Sequence, residues 1–280
     1  MYYLLTESFA EQQTQLVKII RDAVPAQQIY LLGSTLAQRR TETVFMPNAP
    51  SCRSVGHYYV LVLVSEDLNC GLLQDKLENI CHQFIPVTAL VLNTDRFIEW
   101  LLAGHAFAKT VQQRAVLLHG EAIHSDVVQT TETQPAGDIE KQNRQSLQKV
   151  KAFFAGAELY IVRIEYKMAA FMMHQSAEHA LLAIFKAGSG LQVNTHNLDK
   201  LIGYCSMVNY RIPEIFPRHN EQQNRLFQLL QKAYIDTRYK NNYSIGTAEL
   251  QTLKEMLLKL IEMMPGYSGT SHKTGRVGEE

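Results

Sequence analysis

Residues 57–64 read HYYVLVLV. A run this rich in aromatic and β-branched side chains, with almost no polar interruption, is a strand that must be covered on both faces. Its neighbours supply that cover. Thr6 is placed to cap a helix whose apolar positions Phe9, Leu16, Val17 and Ile20 fall near one face, and Pro25 ends it. QIYLLGS at 28–34 reads as a short strand running into a Gly-Ser turn, and 43–46 as a second strand ahead of a Pro-containing loop. A helix over 68–83, a strand over 85–92, a helix over 95–102 behind a Thr94 cap and a last short strand over 115–118 complete the pattern. Strands alternating with helices in this way predict an α/β sandwich of roughly 120 residues.

The pattern then changes. Residues 127–145 are polar and hold Pro135 and Gly137, the composition of a linker. From 146 onward the strand signals vanish. Residues 146–187 hold two long helices with a break near 155–159, and 195–207, 221–238 and 247–263 supply three more. Short connections between them predict an antiparallel bundle. The fold class expected is therefore α+β with two domains, bounded at 1–125 and 146–264, a linker at 126–145 and a disordered Gly/Ser-rich tail at 265–280.

Composition narrows the functional classes. The chain has 280 residues, 46% of them hydrophobic and 19% charged, which excludes a wholly disordered protein. Lys plus Arg and Asp plus Glu both number 27, so there is no net charge to support a broad duplex-DNA surface; only a local basic patch fits. The four cysteines form no C-x-x-C pair and read as free thiols. The opening MYYLLTESFAEQQ lacks a basic stretch before an apolar core, and the longest apolar run is far too short to span a bilayer. The expectation is a cytoplasmic protein with no membrane partner.

In the N-terminal part the chemistry candidate is Gly33-Ser34. A glycine there lets backbone N–H groups approach a phosphate, and the serine hydroxyl adds a donor. Strand, Gly-Ser, then strand resembles the minimal nucleotidyltransferases of prokaryotes over about residues 1–120, and a Gly-x-x-Phe segment at 104–107 fits the same comparison. That family carries two alternate aspartates on the next strand and a third acid on a later one, holding divalent metal. The matching strands here carry no acid, and Glu66 and Asp67 fall past the end of the first of them. Without paired carboxylates the main charge-neutralising device of phosphoryl transfer is missing. The reading is a degenerate nucleotidyltransferase-like domain with a phosphate turn at Gly33 and Ser34, no metal and no resident cofactor. His105 and His119 read as loop histidines.

In the C-terminal part, helical spacing puts Ala170, Met173, Ala177, Leu181 and Ile184 in the core, with Gln175, Glu178 and His179 on a neighbouring face. His174 and His179 are five apart and make no i,i+4 zinc pair, whereas His174 and Glu178 are placed for an ordinary i,i+4 contact. Gln-x-x-Glu in this helix, then His196-x-Leu198, then Tyr234-x-x-x-Arg238-Tyr239, resembles the HEPN domain over about residues 146–263. HEPN domains are helical bundles that commonly dimerise, frequently accompany minimal nucleotidyltransferases, and in many cases are ribonucleases marked by Arg, four to six residues, then His. Here Arg238 is followed at 243–245 by Tyr-Ser-Ile, and a tyrosine is no base near neutral pH without a large shift.

What the resemblance implies is a nucleotide site formed by Gln175, Glu178, Arg238, Tyr239 and Lys240, with the cations on phosphate and Tyr239 on a base. A competing reading pairs Arg238 with Glu178 inside the bundle. The function expected is non-catalytic binding of ATP, GTP or RNA by a homodimer, in a regulatory or toxin–antitoxin-like role. The rivals are a divergent nucleotidyltransferase or ribonuclease in which His57 or His196 replaces the missing groups, and a purely structural dimerisation scaffold.

Overall fold

A computed structural model describes residues 9–39, 52–65, 68–123, 136–239 and 243–267, which fall into two compact units, Met1–Glu132 and Thr133–Glu280. In the first unit, α1 (Ala10–Ala23) precedes β1 (Gln28–Arg39) and β2 (Cys52–Val64). Then come α2 (Cys70–Cys81), β3 (Val87–Asn93), α3 (Thr94–Leu102), α4 (Ala106–Arg114) and β4 (Val116–His119). The strands form one mixed sheet in the order β3-β2-β1-β4. β1 pairs antiparallel with β2 and β4, and β2 pairs parallel with β3, Tyr58 facing Val87 and Val62 facing Val91.

The run at 57–64 forms the C-terminal part of β2, and Tyr58 to Val64 are all buried. Side chains alternate across a strand. Tyr58, Val60, Val62 and Val64 enter one core with Leu16 and Ile20 of α1 and Leu77 and Cys81 of α2. On the other face Tyr30 of β1 meets Phe97 of α3 at 6.2 Å between ring centroids. Each fully buried Val or Leu contributes roughly 1.5–3 kcal/mol relative to exposure, so covering both faces of β2 is a large part of what stabilises this unit.

Several expectations need correction here. Gly33 and Ser34 do not form a turn. They lie inside β1, opposite Tyr59 and Tyr58, with register shifts between Leu31 and Gly33 and between Thr35 and Leu36. The chain continues past them as a strand paired with β2, so the expected turn is absent. Residues 106–114, to which the sequence assigns no element, form α4 ahead of the last strand. Thr94 is not the cap of α3 but its first residue, and its hydroxyl bonds to Gln27 and, at 3.2 Å, to the Val64 carbonyl. The expected strand at 43–46, the Thr6 cap, and Glu66 and Asp67 lie outside the described residues.

The second unit holds α5 (Ala136–Val162), α6 (Tyr166–Ser189), α7 (Leu198–Val208), α8 (Ile212–Ile215), α9 (Glu221–Tyr239) and α10 (Thr247–Glu262). Residues 136–145 of the expected linker are therefore already helix, and 126–135 lie outside the described residues. The expected break near 155–159 is displaced: α5 runs unbroken to Val162, and the chain turns through Arg163, Ile164 and Glu165. α6 packs against α5, α7, α9 and α10 and forms the centre of the bundle. Its buried stripe includes Ala170, Met173, Ala177, Leu181 and Ile184, the residues that helical spacing assigns to the core. Ser176 also donates to the Val150 carbonyl of α5 at 3.2 Å. Gly190, left-handed at φ 76°, terminates α6. Of the tail, 268–280 lies outside the described residues. Among the described residues no helix is long and apolar enough to cross a membrane.

Candidate nucleotide-binding site

Several side chains of the second unit converge on Tyr234 of α9. α6 brings Phe171 and His174 to it, while Gln175 and Glu178 stand behind His196. The loop ahead of α7 brings His196, and one further turn of α9 brings Arg238. The loop is set by Asn197, which caps α7 by accepting from the backbone N–H groups of Asp199 at 2.9 Å and Lys200 at 3.2 Å. Gln231 of α9 donates to the same Asn197 oxygen at 3.0 Å and accepts from the Leu198 N–H at 2.8 Å. The position of His196 is thus tied directly to α9.

Glu178 is nearly fully buried. One of its oxygens lies 3.0 Å from Nδ1 of His196 and the other accepts from Nε2 of Gln175 at 3.3 Å. The expected His174–Glu178 contact is longer, 3.7 Å from Nδ1, beyond hydrogen-bonding reach. His174 is fully buried with neither ring nitrogen bonded. Burial holds its pKa down at about 4; the backbone of His196 opposes that shift, and the charges of His196 and Arg238 reinforce it.

Arg238 does not pair with Glu178. Its Nε donates to the Tyr234 carbonyl at 2.8 Å, and its guanidinium lies 4.3 Å from the centre of the Tyr234 ring, 5.4 Å from Tyr239 and 5.6 Å from Phe171. No carboxylate bonds to it among the described residues, and the side chain is exposed. Tyr239 beside it is 76% exposed. A cation bedded on aromatic faces and left without a counter-ion is suited to take an anion from solution. Lys240 lies outside the described residues. Gln175 and Glu178 stand against His196, and the contacts of Arg238 are with Tyr234, Tyr239 and Phe171 instead.

Tyr243, which stands where a catalytic histidine was sought, is buried; its hydroxyl donates to the Leu229 carbonyl at 3.0 Å, and burial raises its pKa above the ordinary tyrosine value. His57 bonds to the Thr88 hydroxyl at 2.8 Å within the sheet unit, and burial lowers its pKa. His179 stacks on Phe153 at 5.3 Å, and His105 on Trp100 at 4.8 Å. Among the described residues no group of three or more His, Cys, Asp or Glu side chains is arranged to hold a metal ion.

A crystal structure of a nucleotidyltransferase-like protein from Exiguobacterium sibiricum aligns with 90% of this chain and 74% of its own, at 12% sequence identity and a TM-score of 0.31. No curated protein matches the chain. The family model for the HEPN domain matches residues 144–265, and the helical unit of this chain carries a HEPN domain.

Proposed function

We propose that the helical unit binds the phosphate of ATP, GTP or a single-stranded RNA at the end of α9, without catalysing its cleavage. The observation that carries this reading is Arg238, an exposed guanidinium laid on Tyr234, anchored by its own backbone and unpaired with any described carboxylate. Tyr239 offers the neighbouring ring for base stacking, and Lys240 follows it in sequence. Gln175 and Glu178 act from behind: a buried carboxylate repels phosphate, so Glu178 serves the site through His196. A homodimer meeting through the helical unit is part of the same reading. Its support is the exposed apolar surface at the α5–α6 turn, where Val162 is 79% and Ile164 72% exposed; a monomer in sedimentation velocity would remove it. The regulatory or toxin–antitoxin-like setting rests on the sequence resemblance alone, and retention of growth control by a chain that binds no nucleotide would overturn it.

Calorimetric titration with ATP, GTP and a short single-stranded RNA, with Arg238→Ala in parallel, tests the binding. An arginine–phosphate contact of the charge-assisted kind supports a loss of roughly 10- to 100-fold in affinity on its removal. Equal affinity in the variant, or no saturable heat with any of the three, refutes the proposal.

A further inference from the structure

In the sheet unit, α1 and α2 run antiparallel. Nζ of Lys76, midway along α2, donates to the Ala23 carbonyl at the end of α1 at 2.7 Å, and the first turns of α1 stand beside the residues that follow α2. Between them a cavity of about 240 Å³ is lined by Gln12, Leu16 and Ile19 of α1 and by Cys81, Phe84 and Ile85. Leu16 and Cys81 belong to the core, whereas Ile19 and Ile85 are only partly buried and Phe84 is 58% exposed. Oε1 of Gln12 is buried with no hydrogen-bond partner among the described residues, a costly state for an acceptor. An apolar cavity of about 150 Å³ already takes a benzene ring, so this one has room for an aromatic side chain, best of all one that carries a donor.

The chain holds such a side chain close by. Residues 1–5 read Met-Tyr-Tyr-Leu-Leu, ahead of the polar Thr6-Glu7-Ser8. Residues 1–8 lie outside the described residues, and they join the fold at Phe9, within one turn of Gln12. Extended chain carries Tyr2 roughly 25 Å from Phe9 and Leu5 roughly 13 Å, while Ile19 lies about 15 Å along the helix from Phe9. The segment therefore reaches every part of the cavity from its own point of attachment. A run of apolar side chains is unfavourable in water, and a tyrosine joins an apolar ring to an O–H donor. A short tether also holds the segment at roughly millimolar effective concentration, which a free ligand or a second copy lacks.

We propose that residues 2–5 fold back along α1 and seat a tyrosine in the cavity between α1 and the end of α2. The occupant is this chain's own segment, and the inference is independent of the nucleotide reading.

Disulfide trapping on the full chain tests it, with Cys81→Ala removing the native thiol of the cavity. Phe84→Cys is combined in turn with Tyr2→Cys, Tyr3→Cys, Leu4→Cys and Leu5→Cys. Leu72→Cys, exposed near the other end of α2, replaces Phe84→Cys as the control. Peptide mapping of the oxidised monomer should find a link from at least one of the four positions to 84 and none to 72. No link to 84, equal linking to 84 and 72, or links only between two chains overturns the proposal; the last would make a second copy the occupant. Deletion of residues 2–5 leaves the cavity walls intact, and it should raise the fluorescence of an apolar dye and lower the thermal midpoint. Tyr2→Ser combined with Tyr3→Ser should reproduce both changes. Dye binding and midpoint unaltered by the deletion, or altered by it and not by the double serine variant, overturn the proposal as well.

Discussion

Replacing His174 tests whether a neutral imidazole in the centre of the bundle makes the protein sensitive to acid. The ring has no exposed surface and no partner within normal hydrogen-bond geometry among the described residues, and burial lowers its pKa from 6.5 to about 4 against a weak opposing effect of the His196 backbone. The sign follows from proton binding. In the unfolded chain the ring takes a proton as pH falls below about 6.5, while in the native bundle it stays neutral until about 4. Its contribution is intact above the unfolded pKa and is lost as pH falls through that window. The full gap corresponds to about 3 kcal/mol, of which about 2 kcal/mol is gone by about pH 5. Urea unfolding of the wild type and His174→Phe, followed by far-UV circular dichroism at about pH 7.5 and about pH 5, reads the difference, since groups common to both proteins cancel. The wild type should lose about 2 kcal/mol more than the variant between the two pH values. At the higher pH the variant should be at least as stable, because two buried, unbonded nitrogens have gone. Equal acid sensitivity in the two proteins would refute the reasoning.

Two further substitutions probe the bundle. A Cβ on Gly188 of α6 would stand 2.7 Å from the Cβ of Val208 at the end of α7; Gly188→Ala should lower the thermal midpoint through an overpacking cost of about 1–3 kcal/mol, and adding Val208→Gly, which removes the opposing Cβ, should make the cost of Gly188→Ala vanish relative to Val208→Gly alone. Ile164 turns the chain between α5 and α6 at φ 62° while 72% exposed, a conformation that costs a β-branched residue about 1–2 kcal/mol. Ile164→Asn should raise the unfolding midpoint, and an unchanged midpoint would count against strain at this turn.

How much of this was legible depended on where the signal lay. β2 was readable because burial on both faces leaves a continuous apolar run in a single short segment. The Gly33-Ser34 turn was misread because a local dipeptide cannot show that Tyr59 and Tyr58 stand opposite it; pairing across the hairpin overrides the local preference. The helix break was misplaced for a related reason. Gly156 lies inside the expected break, yet α5 continues through it, and a Cβ there would make only ordinary contact with Met172, 3.6 Å from its Sδ. The turn itself falls on Ile164, which gives no turn signal at all. At the site, the spacing of Gln175 and Glu178 was visible, and so were His196, Tyr234 and Arg238 as separate motif members. Which acid would hold which base was not, because the Glu178–His196 contact joins a helix to a loop 18 positions away.

α6 carries the core and the site on adjacent stripes of one cylinder. Ala170, Met173, Ala177 and Leu181 set its rotation against the bundle, and the same rotation aims Glu178 at His196. One residue inserted between Ala170 and Glu178 would turn one part of the helix against the other by about 100°. It would put a core position at the site or a site position in the core. Reading frame within this helix is therefore held by two independent constraints, and a change of length that spares both has to fall at the ends of α6, outside the span from Ala170 to Leu181.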